Sequence, residues 1–223
     1  MKVEKPIPLY MRVYDALRRA IIDGKLTYGE RINEVKISEK LEVSRGPVRE
    51  SISKLEQEGL LERDGKNILR VYMPNATDIR DIYECRTVLE SLAAEKAAKE
   101  ISKKDLVRLE ELMQNSSNIV ESKESLEKST GQFLDLNSEF HQIIIQASGN
   151  RRLHDQIAQL QSLTRLYRQF NIHDQKRREA AHEQHYSIFQ ALREGNGIEA
   201  KELMEEHITY DMESLLQLFL KKS

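Results

Sequence analysis

Several residue types that define whole classes of protein are scarce in this chain. It has one cysteine, Cys85, no tryptophan and four prolines among 223 residues. A single cysteine cannot build an intrachain disulfide framework, which fits a reducing compartment and predicts a cytoplasmic protein. Aliphatic runs such as Ile143–Ile145 are far shorter than the roughly 20 residues of a transmembrane helix, and the N-terminus has no apolar stretch of the signal-peptide kind. We therefore expect no association with a membrane.

A large excess of charge of either sign is also missing. Residues 1–75 contain 15 Lys and Arg against 12 Asp and Glu, and the remainder contains 20 against 25, so the two parts carry +3 and −5. A basic N-terminal part suits a polyanionic partner, but +3 is too small to identify one. The composition, 39% hydrophobic and 32% charged, excludes a disordered chain and allows one large domain or two small ones.

The last proline, Pro74, separates two kinds of sequence pattern. Before it, apolar spacing and turn residues predict helices over 8–23, 34–41 and 44–58, then short strands over 60–62 and 69–72 around an Asp64-Gly65 turn. After it, the whole sequence reads as helix, with helices near 77–100, 103–121, 131–148, 150–172, 174–194 and 197–220. The polar stretch 114–130 is expected to contain the longest loop. The predicted fold class is mainly α: a winged helix-turn-helix domain over 1–74, a linker over 73–77, and an all-helical six-helix bundle over 78–223.

The order helix, tight turn, helix and hairpin over residues 33–66 is that of a module that inserts its second helix into the DNA major groove. Ser44 is a good cap for the start of that helix, and Pro47 is tolerated in its first turn. Arg45 and Arg49 are four residues apart and lie off the apolar face. Near the start of such a helix, two guanidinium groups can reach guanine edges or phosphates.

Three of the later helices each place a histidine on an apolar stripe. They are His141, His185 and His207, and Asn137 precedes the first of them by one turn. Burying three imidazoles without partners is costly, and a shared divalent metal would offset that cost. A single inward histidine is more often a hydrogen-bonded core residue, so spacing alone leaves both interpretations open. The other histidines, at positions 154, 173 and 182, have no such setting and are expected at the surface.

Two sets of motifs resemble a known family. SRGPVRESISKLEQEGLLER and the upstream YGERINE resemble the DNA-binding domain of GntR-type bacterial transcription regulators. Residues 78–210 resemble the FCD effector domain of the FadR branch of that family, through DIYECRTVLESLAAEKAA, LNSEFHQIIIQASGN and HYSIFQALREGNGIEAKELMEEHI.

The resemblance implies roles for particular residues. Many FCD domains hold a divalent metal, which implies zinc or nickel here, and the implied ligands are Asn137, His141, His185 and His207. Where Asn137 stands, the family often has Asp, a stronger ligand. For DNA, the resemblance implies base or phosphate contacts by Ser44, Arg45 and Arg49, with Gly65 and Lys66 at the tip of the wing.

Arg86 occupies the position of an arginine often found in the family, which suggests a contact to a carboxylate effector. An ion pair with Glu90, one helical turn later, is the equally simple alternative.

These features predict a dimeric, ligand-responsive transcription regulator, most simply a repressor, that binds an inverted-repeat operator in double-stranded DNA. A small carboxylate metabolite would act at the metal-containing pocket. Two other classes compete with it. A metal-dependent hydrolase would use an open metal site, although no base or nucleophile accompanies the histidines. A helical scaffold would hold a purely structural metal.

Overall fold

The computed structural model describes residues 7–122, 126–172 and 174–220. These residues form nine helices and one two-stranded antiparallel sheet, so the predicted mainly α fold class is confirmed. The chain divides into two compact units, Met1–Pro74 and Asn75–Ser223. No helix within the described ranges is long and apolar enough to cross a membrane.

The first unit contains three helices and a hairpin. In chain order these are α1 (Leu9–Ile22), α2 (Glu34–Lys40), α3 (Arg45–Gln57), β1 (Leu61–Arg63) and β2 (Leu69–Val71). Helices α1 and α3 pack together and bury aliphatic side chains that recur at helical spacing, including Leu17, Ile21, Val48, Ile52 and Leu55. The Ser51 hydroxyl donates to the Tyr10 carbonyl at 2.7 Å, which also joins the two helices.

The hairpin differs in detail from the sequence-based prediction. Strand β1 begins one residue later than expected, and Leu61 lies opposite Val71. The turn was expected at Asp64-Gly65, but it extends to residue 68, and Asn67, not Gly65, adopts the left-handed conformation with φ of 59°. The Asp64 carboxylate explains the longer turn, since it accepts from the backbone N–H groups of Lys66 and Ile68.

The second unit consists of six helices. They are α4 (Ala76–Glu100), α5 (Lys103–Glu121), α6 (Leu126–Ala147), α7 (Arg151–Asn171), α8 (Gln175–Arg193) and α9 (Gly197–Leu220). The prediction that 114–130 contains the longest loop was wrong, because α5 continues to Glu121 and α6 already begins at Leu126. Residues 123–125 lie outside the described part of the chain. The buried face that begins with Leu109 and Leu112 continues into this polar stretch, because Ser116 is buried and Ile119 and Val120 pack against a core cluster that includes Phe133.

Helix α4 is central to the second unit. It packs against α6, α7, α8 and, along most of its length, α9. Gly197 permits the close approach of α9, because a Cβ atom at this position would lie 2.8 Å from the backbone carbonyl oxygen of Glu95. The oxygen belongs to a helix backbone and cannot move aside as a flexible side chain would.

We therefore expect Gly197→Ala to destabilise the second unit by about 1–3 kcal/mol, as overpacking of a close helix contact does. Gly131→Ala is the matched control, since Gly131 is also helical but a Cβ atom there would meet nothing within 4 Å. The control should be neutral or slightly stabilising. Thermal unfolding monitored by circular dichroism compares the two, and equal melting temperatures would contradict the close-approach argument.

Candidate functional site

The three histidines expected in the bundle interior lie together there. His141 on α6, His185 on α8 and His207 on α9 are 3%, 2% and 0% exposed. Each can offer a ligand atom such that all three atoms lie within 4.8 Å of one another. Asn137, one turn before His141, is also buried, and its side-chain oxygen has no hydrogen-bond partner.

Hydrogen bonds to one ring nitrogen fix the tautomers of two of these histidines. His141 Nδ1 lies 2.6 Å from Glu90 Oε2, and His207 Nδ1 lies 2.9 Å from Gln184 Oε1. Both partners accept, so each Nδ1 carries the proton and donates it. The Nε2 atoms of His141 and His207 are left with free lone pairs, and that of His141 has no partner at all.

The side-chain nitrogens of His185 and His207 meet directly, with 3.2 Å between their Nε2 atoms. Two lone pairs at this distance would repel, so either a proton on His185 or a cation must lie between them. Two imidazole nitrogens that bind one metal at about 2.1 Å are separated by about 3.2 Å as well. The arrangement therefore suits a shared metal as well as it suits a hydrogen bond.

Burial keeps all three imidazoles neutral. It lowers the pKa of His141 to about 4, although the charge of Glu90 acts in the opposite direction. Burial also lowers the pKa values of His185 and His207 well below the ordinary range, and the neighbouring histidines and arginines add to the effect. Neutral imidazole is the form that binds metals.

A buried ion pair between Arg86 and Glu90 lies next to the histidine cluster and contacts His141. Arg86 Nε donates to Glu90 Oε1 at 2.7 Å, while the other oxygen of Glu90 accepts from His141. Burial, the largest single influence, would raise the pKa of Glu90, but Arg86, His141 and Arg168 together outweigh it, lower the pKa and keep the carboxyl ionised. The alternative interpretation of Arg86, an ion pair with Glu90, is therefore present. It uses only Nε, however, and both terminal nitrogens of Arg86 are buried without a partner.

A second buried ion pair lies beside His207. Asp211 follows His207 by one turn on α9, and its Oδ2 lies 3.9 Å from His207 Nε2. Its other oxygen accepts from Arg177 and, at 2.8 Å, from Asn171 Nδ2. Burial, the largest single influence, would raise the pKa of Asp211, but Arg177, Arg86 and Arg168 together outweigh it and lower the pKa.

Sequence reasoning found the pairing of Glu90 with Arg86 but missed the bond from His141 to Glu90 and the roles of four further residues around the cluster: Arg168, Arg177, Gln184 and Asp211. One of them carried a usable signal, since Asp211 lies four residues after His207 and so on the same helix face. Arg168 and Arg177 lie on α7 and α8, and only helix packing brings them to the cluster. Long-range contacts of this kind leave no local periodicity in the sequence.

The remaining histidines are less uniform than expected. His154 keeps 39% of its side-chain surface exposed. His182 contradicts the expectation of a surface residue, because it is half-buried and its Nδ1 lies 2.6 Å from the Ser116 hydroxyl. His173 lies outside the described residues.

The start of α3 is exposed and carries two arginines, Arg45 and Arg49. Ser44 stands at the N-cap position, but its side chain makes no capping hydrogen bond, contrary to prediction. The third residue of the helix is Pro47, which has no N–H, so one of the usual capping donors is missing. The Ser44 hydroxyl and the Arg45 side chain are therefore exposed and available to a partner.

The side chain of Arg49 is exposed, but a contact with Glu34 fixes its orientation. Of its side-chain surface, 61% is exposed to solvent, and its Nε donates to Glu34 on α2 at 2.9 Å. The two terminal nitrogens are not used in this contact. At the hairpin tip, Gly65 and Lys66 are both exposed. Arg63 on β1 pairs with Glu56 at 2.9 Å, which ties the hairpin to the end of α3.

Comparison with known proteins identifies the family of each unit. The sequence matches the description "Bacterial regulatory proteins, gntR family" over residues 9–71 and the FCD domain over residues 81–210. It is 31% identical to the uncharacterized HTH-type transcriptional regulator YdhC of Bacillus subtilis (strain 168), over 96% of this chain and 94% of that protein. It is 26% identical to the HTH-type transcriptional repressor RspR of Escherichia coli (strain K12), over 95% and 90% of the two chains. The structure of E. coli McbR/YncC has the same fold, with a TM-score of 0.75 at 20% identity over 96% of this chain and 100% of that one.

A helix-turn-helix unit with an exposed basic helix, followed by a helical bundle with a buried polar centre, defines a DNA-binding transcription regulator. The chain belongs to the GntR family and carries an FCD domain in its second unit. Both families and the relatives named above are regulators, so the protein is a transcription regulator and not an enzyme.

Proposed function

We propose that this regulator is a ligand-responsive repressor that binds an inverted-repeat operator as a dimer. The observation that carries the proposal is the buried cluster of three neutral histidines with unpartnered donors and acceptors around it. A purely structural core would satisfy such groups, because each unpaired buried polar atom costs stability. Repression is supported by the name of the relative RspR, a transcriptional repressor. Because the operator lies on the bacterial chromosome, we place the protein in the cytoplasm.

On DNA, α3 would enter the major groove. Arg45 and Arg49 would contact guanine edges or phosphates, and the free hydroxyl of Ser44 would hold a phosphate at the helix start. Glu34 would orient Arg49 through its Nε and leave both terminal nitrogens for a bidentate contact. Gly65 and Lys66 at the wing tip would lie at the minor groove.

Replacing Arg49 tests the reading of bases. We expect Arg49→Ala to weaken specific operator binding by roughly tenfold to a hundredfold, the range for loss of a bidentate base contact, with a much smaller effect on random DNA. Lys25→Ala is the control, since Lys25 is also highly exposed but lies in the turn after α1. Fluorescence anisotropy at fixed salt measures both affinities. Equal losses on the two DNAs would reduce Arg49 to a phosphate contact.

We propose that His141, His185, His207 and Asn137 hold a divalent metal, zinc or nickel. The residues fit such an ion: three neutral imidazoles converge, and the two atoms without partners, His141 Nε2 and Asn137 Oδ1, are the ligand types it prefers. The bonds from Glu90 and Gln184 would orient the imidazoles, as partners of metal-bound histidines commonly do. A bound ion would supply open coordination positions for an anionic ligand.

Asn137 gives this proposal a sharp test. Asn137→Asp should raise metal affinity roughly tenfold, because a carboxylate binds a divalent cation more strongly than a neutral amide oxygen does. Asn115→Asp, on the exposed face of α5, adds the same charge away from the cluster and should have no effect. Competition with a chelator measures affinity, after elemental analysis has identified the ion in the purified protein. Unchanged affinity in Asn137→Asp would remove Asn137 from the ligand set.

The charges around the cluster favour a carboxylate effector. Arg86, Arg168 and Arg177 are buried beside it. Among the residues that the structure describes, Glu90 and Asp211 oppose them, which leaves one positive charge in excess. Burial lowers the pKa of Arg168 to about 10, so this side chain is still charged at neutral pH. A divalent metal would raise the excess to three. A small ligand with two or three carboxylates would neutralise it.

The free donors have the right chemistry for such a ligand. Both terminal nitrogens of Arg86, Nε of Arg168, and Nε and Nη1 of Arg177 are buried without partners. Guanidinium groups bind carboxylates through paired N–H groups. Effector binding would then shift the helices of the FCD domain and change the spacing of the two recognition helices in the dimer. DNA must alter effector affinity by the same factor, because the coupling is reciprocal.

Arg86→Lys tests the effector proposal while retaining a positive charge beside Glu90. With the metal-loaded protein and a series of mono-, di- and tricarboxylates, we expect at least one dicarboxylate or tricarboxylate to raise the melting temperature and change operator affinity. Arg86→Lys should weaken that response roughly tenfold, since Lys cannot make a bidentate contact. Arg151→Lys, on a highly exposed side chain, is the control. If no carboxylate changes stability or operator affinity, the metal is structural and the protein acts without a ligand of this class.

A further inference from the structure

The outer face of α4 carries a stripe that is largely exposed, and Gly197 of α9 borders its C-terminal end. Its central side chains are apolar: Val88 is 68% exposed and Leu92 is 39% exposed. Exposed aliphatic side chains in register on a helix mark a contact surface more often than isolated ones do. The stripe continues in both directions at alternating spacings of four and three residues. Its members are Asp81, Cys85, Val88, Leu92, Glu95 and Lys99.

This spacing is the heptad repeat by which two helices pack side by side. In an antiparallel pair of identical helices, a residue of one helix meets the residue equally far from the midpoint in the other. With the midpoint near residue 90, Val88 meets Leu92 of the partner subunit. Cys85 then faces Glu95 of the partner subunit, and Asp81 faces Lys99 of the partner subunit. The stripe is thus complementary to itself, as a two-fold interface requires.

The charges agree with this register. The stripe begins with Asp81 and ends with Lys99, and the antiparallel pairing brings these unlike charges together whereas a parallel pairing would place like charges side by side. Within the described part of the chain, neither Asp81 nor Lys99 forms an ion pair or a side-chain hydrogen bond. The apolar pair lies at the centre and the charges lie at the rim, which is the usual distribution in a protein interface.

We propose that the outer face of α4 is the centre of a two-fold, antiparallel contact between two copies of this chain. The inference rests on the proposed dimeric regulator and assigns the surface by which it dimerises. Six residues on each side are fewer than the 20–30 of a standard interface, so neighbouring side chains must take part. Ile198 on α9 is 70% exposed, and it follows Gly197, which lies against Glu95 and Lys99. It extends the apolar surface at the Lys99 end.

Val88→Glu tests the surface in the full-length protein. An unpaired carboxylate at the apolar centre should weaken the dimer roughly a hundredfold, measured by sedimentation equilibrium or mass photometry. Val107→Glu is the matched control, because Val107 is 55% exposed on α5 and lies outside the stripe. Both substitutions affect exposed side chains, so circular dichroism and melting temperature should match the parent protein.

Charge reversal tests the register. Asp81→Lys and Lys99→Asp should each weaken self-association about tenfold, because each places like charges at both ends of the contact. An equimolar mixture of the two variants should restore dimers, since one chain then presents lysine at both ends and the other presents aspartate. A mixture no stronger than its components would overturn the antiparallel pairing.

A disulfide provides a geometric measurement. Glu95→Cys should form covalent dimers on oxidation with Cys85 of the partner subunit. The parent protein and the variant Cys85→Ser with Glu95→Cys should not, because identical positions would be about 15 Å apart along the helices. Absence of cross-linked dimers in Glu95→Cys would overturn the register.

The outcomes distinguish failure of the proposed α4 interface from failure of the proposed dimer. If the parent protein is dimeric and Val88→Glu is equally dimeric, α4 is not the interface, while the dimeric regulator stands. If the parent protein is monomeric and binds its operator as a monomer, the proposed dimer is wrong as well. Loss of dimer in Val88→Glu, with loss of affinity for the inverted repeat but not for an isolated half-site, supports both.

Discussion

The interior of the FCD domain depends on one interaction, the acceptance of two hydrogen bonds by the carboxylate of Glu90. One of its oxygens neutralises Arg86, and the other fixes the proton of His141 on Nδ1. Without that carboxylate, a guanidinium that is wholly inaccessible to water would carry an unopposed charge. The same contact turns the free nitrogen of His141 toward His185 and His207. Stability of the bundle and readiness of the cluster to bind a cation are therefore set by the same side chain.

Burying so many charged groups costs stability, and the groups concerned come from several helices of the bundle. Three arginines and two carboxylates are removed from water around three imidazoles, and several guanidinium N–H groups find no partner among the described residues. Evolution tolerates such groups where a ligand satisfies them. Helix α9 approaches α4 closely at Gly197. This packing places Asp211 and His207 of α9 near Glu90 and Arg86 of α4.

The two units differ in where their charged side chains lie. In the first, charge lies outside: Arg45 and Arg49 are exposed, and the helix that carries them is held by the buried faces of α1 and α3. In the second, charge lies inside, where a low dielectric makes each ionic contact strong and the loss of one partner expensive. Each ionic contact inside the second unit is therefore stronger than a contact made by the solvated arginines of α3.

Sequence alone determined what local periodicity encodes. The helices, the winged unit, the inward faces of His141, His185 and His207, and the exposed arginines of α3 all follow from spacing, because a residue's face on a helix is fixed by its position in the repeat. Tertiary structure determined the contacts between residues of different helices, which residue spacing cannot predict. Only packing brings Arg168 and Arg177 to Glu90 and Asp211, since these residues come from different helices. The Ser44 hydroxyl makes no cap, because Pro47 removes one of the usual N–H donors. The turn predicted at Asp64-Gly65 is longer and has its left-handed residue at Asn67, because Asp64 accepts from two backbone N–H groups of that turn.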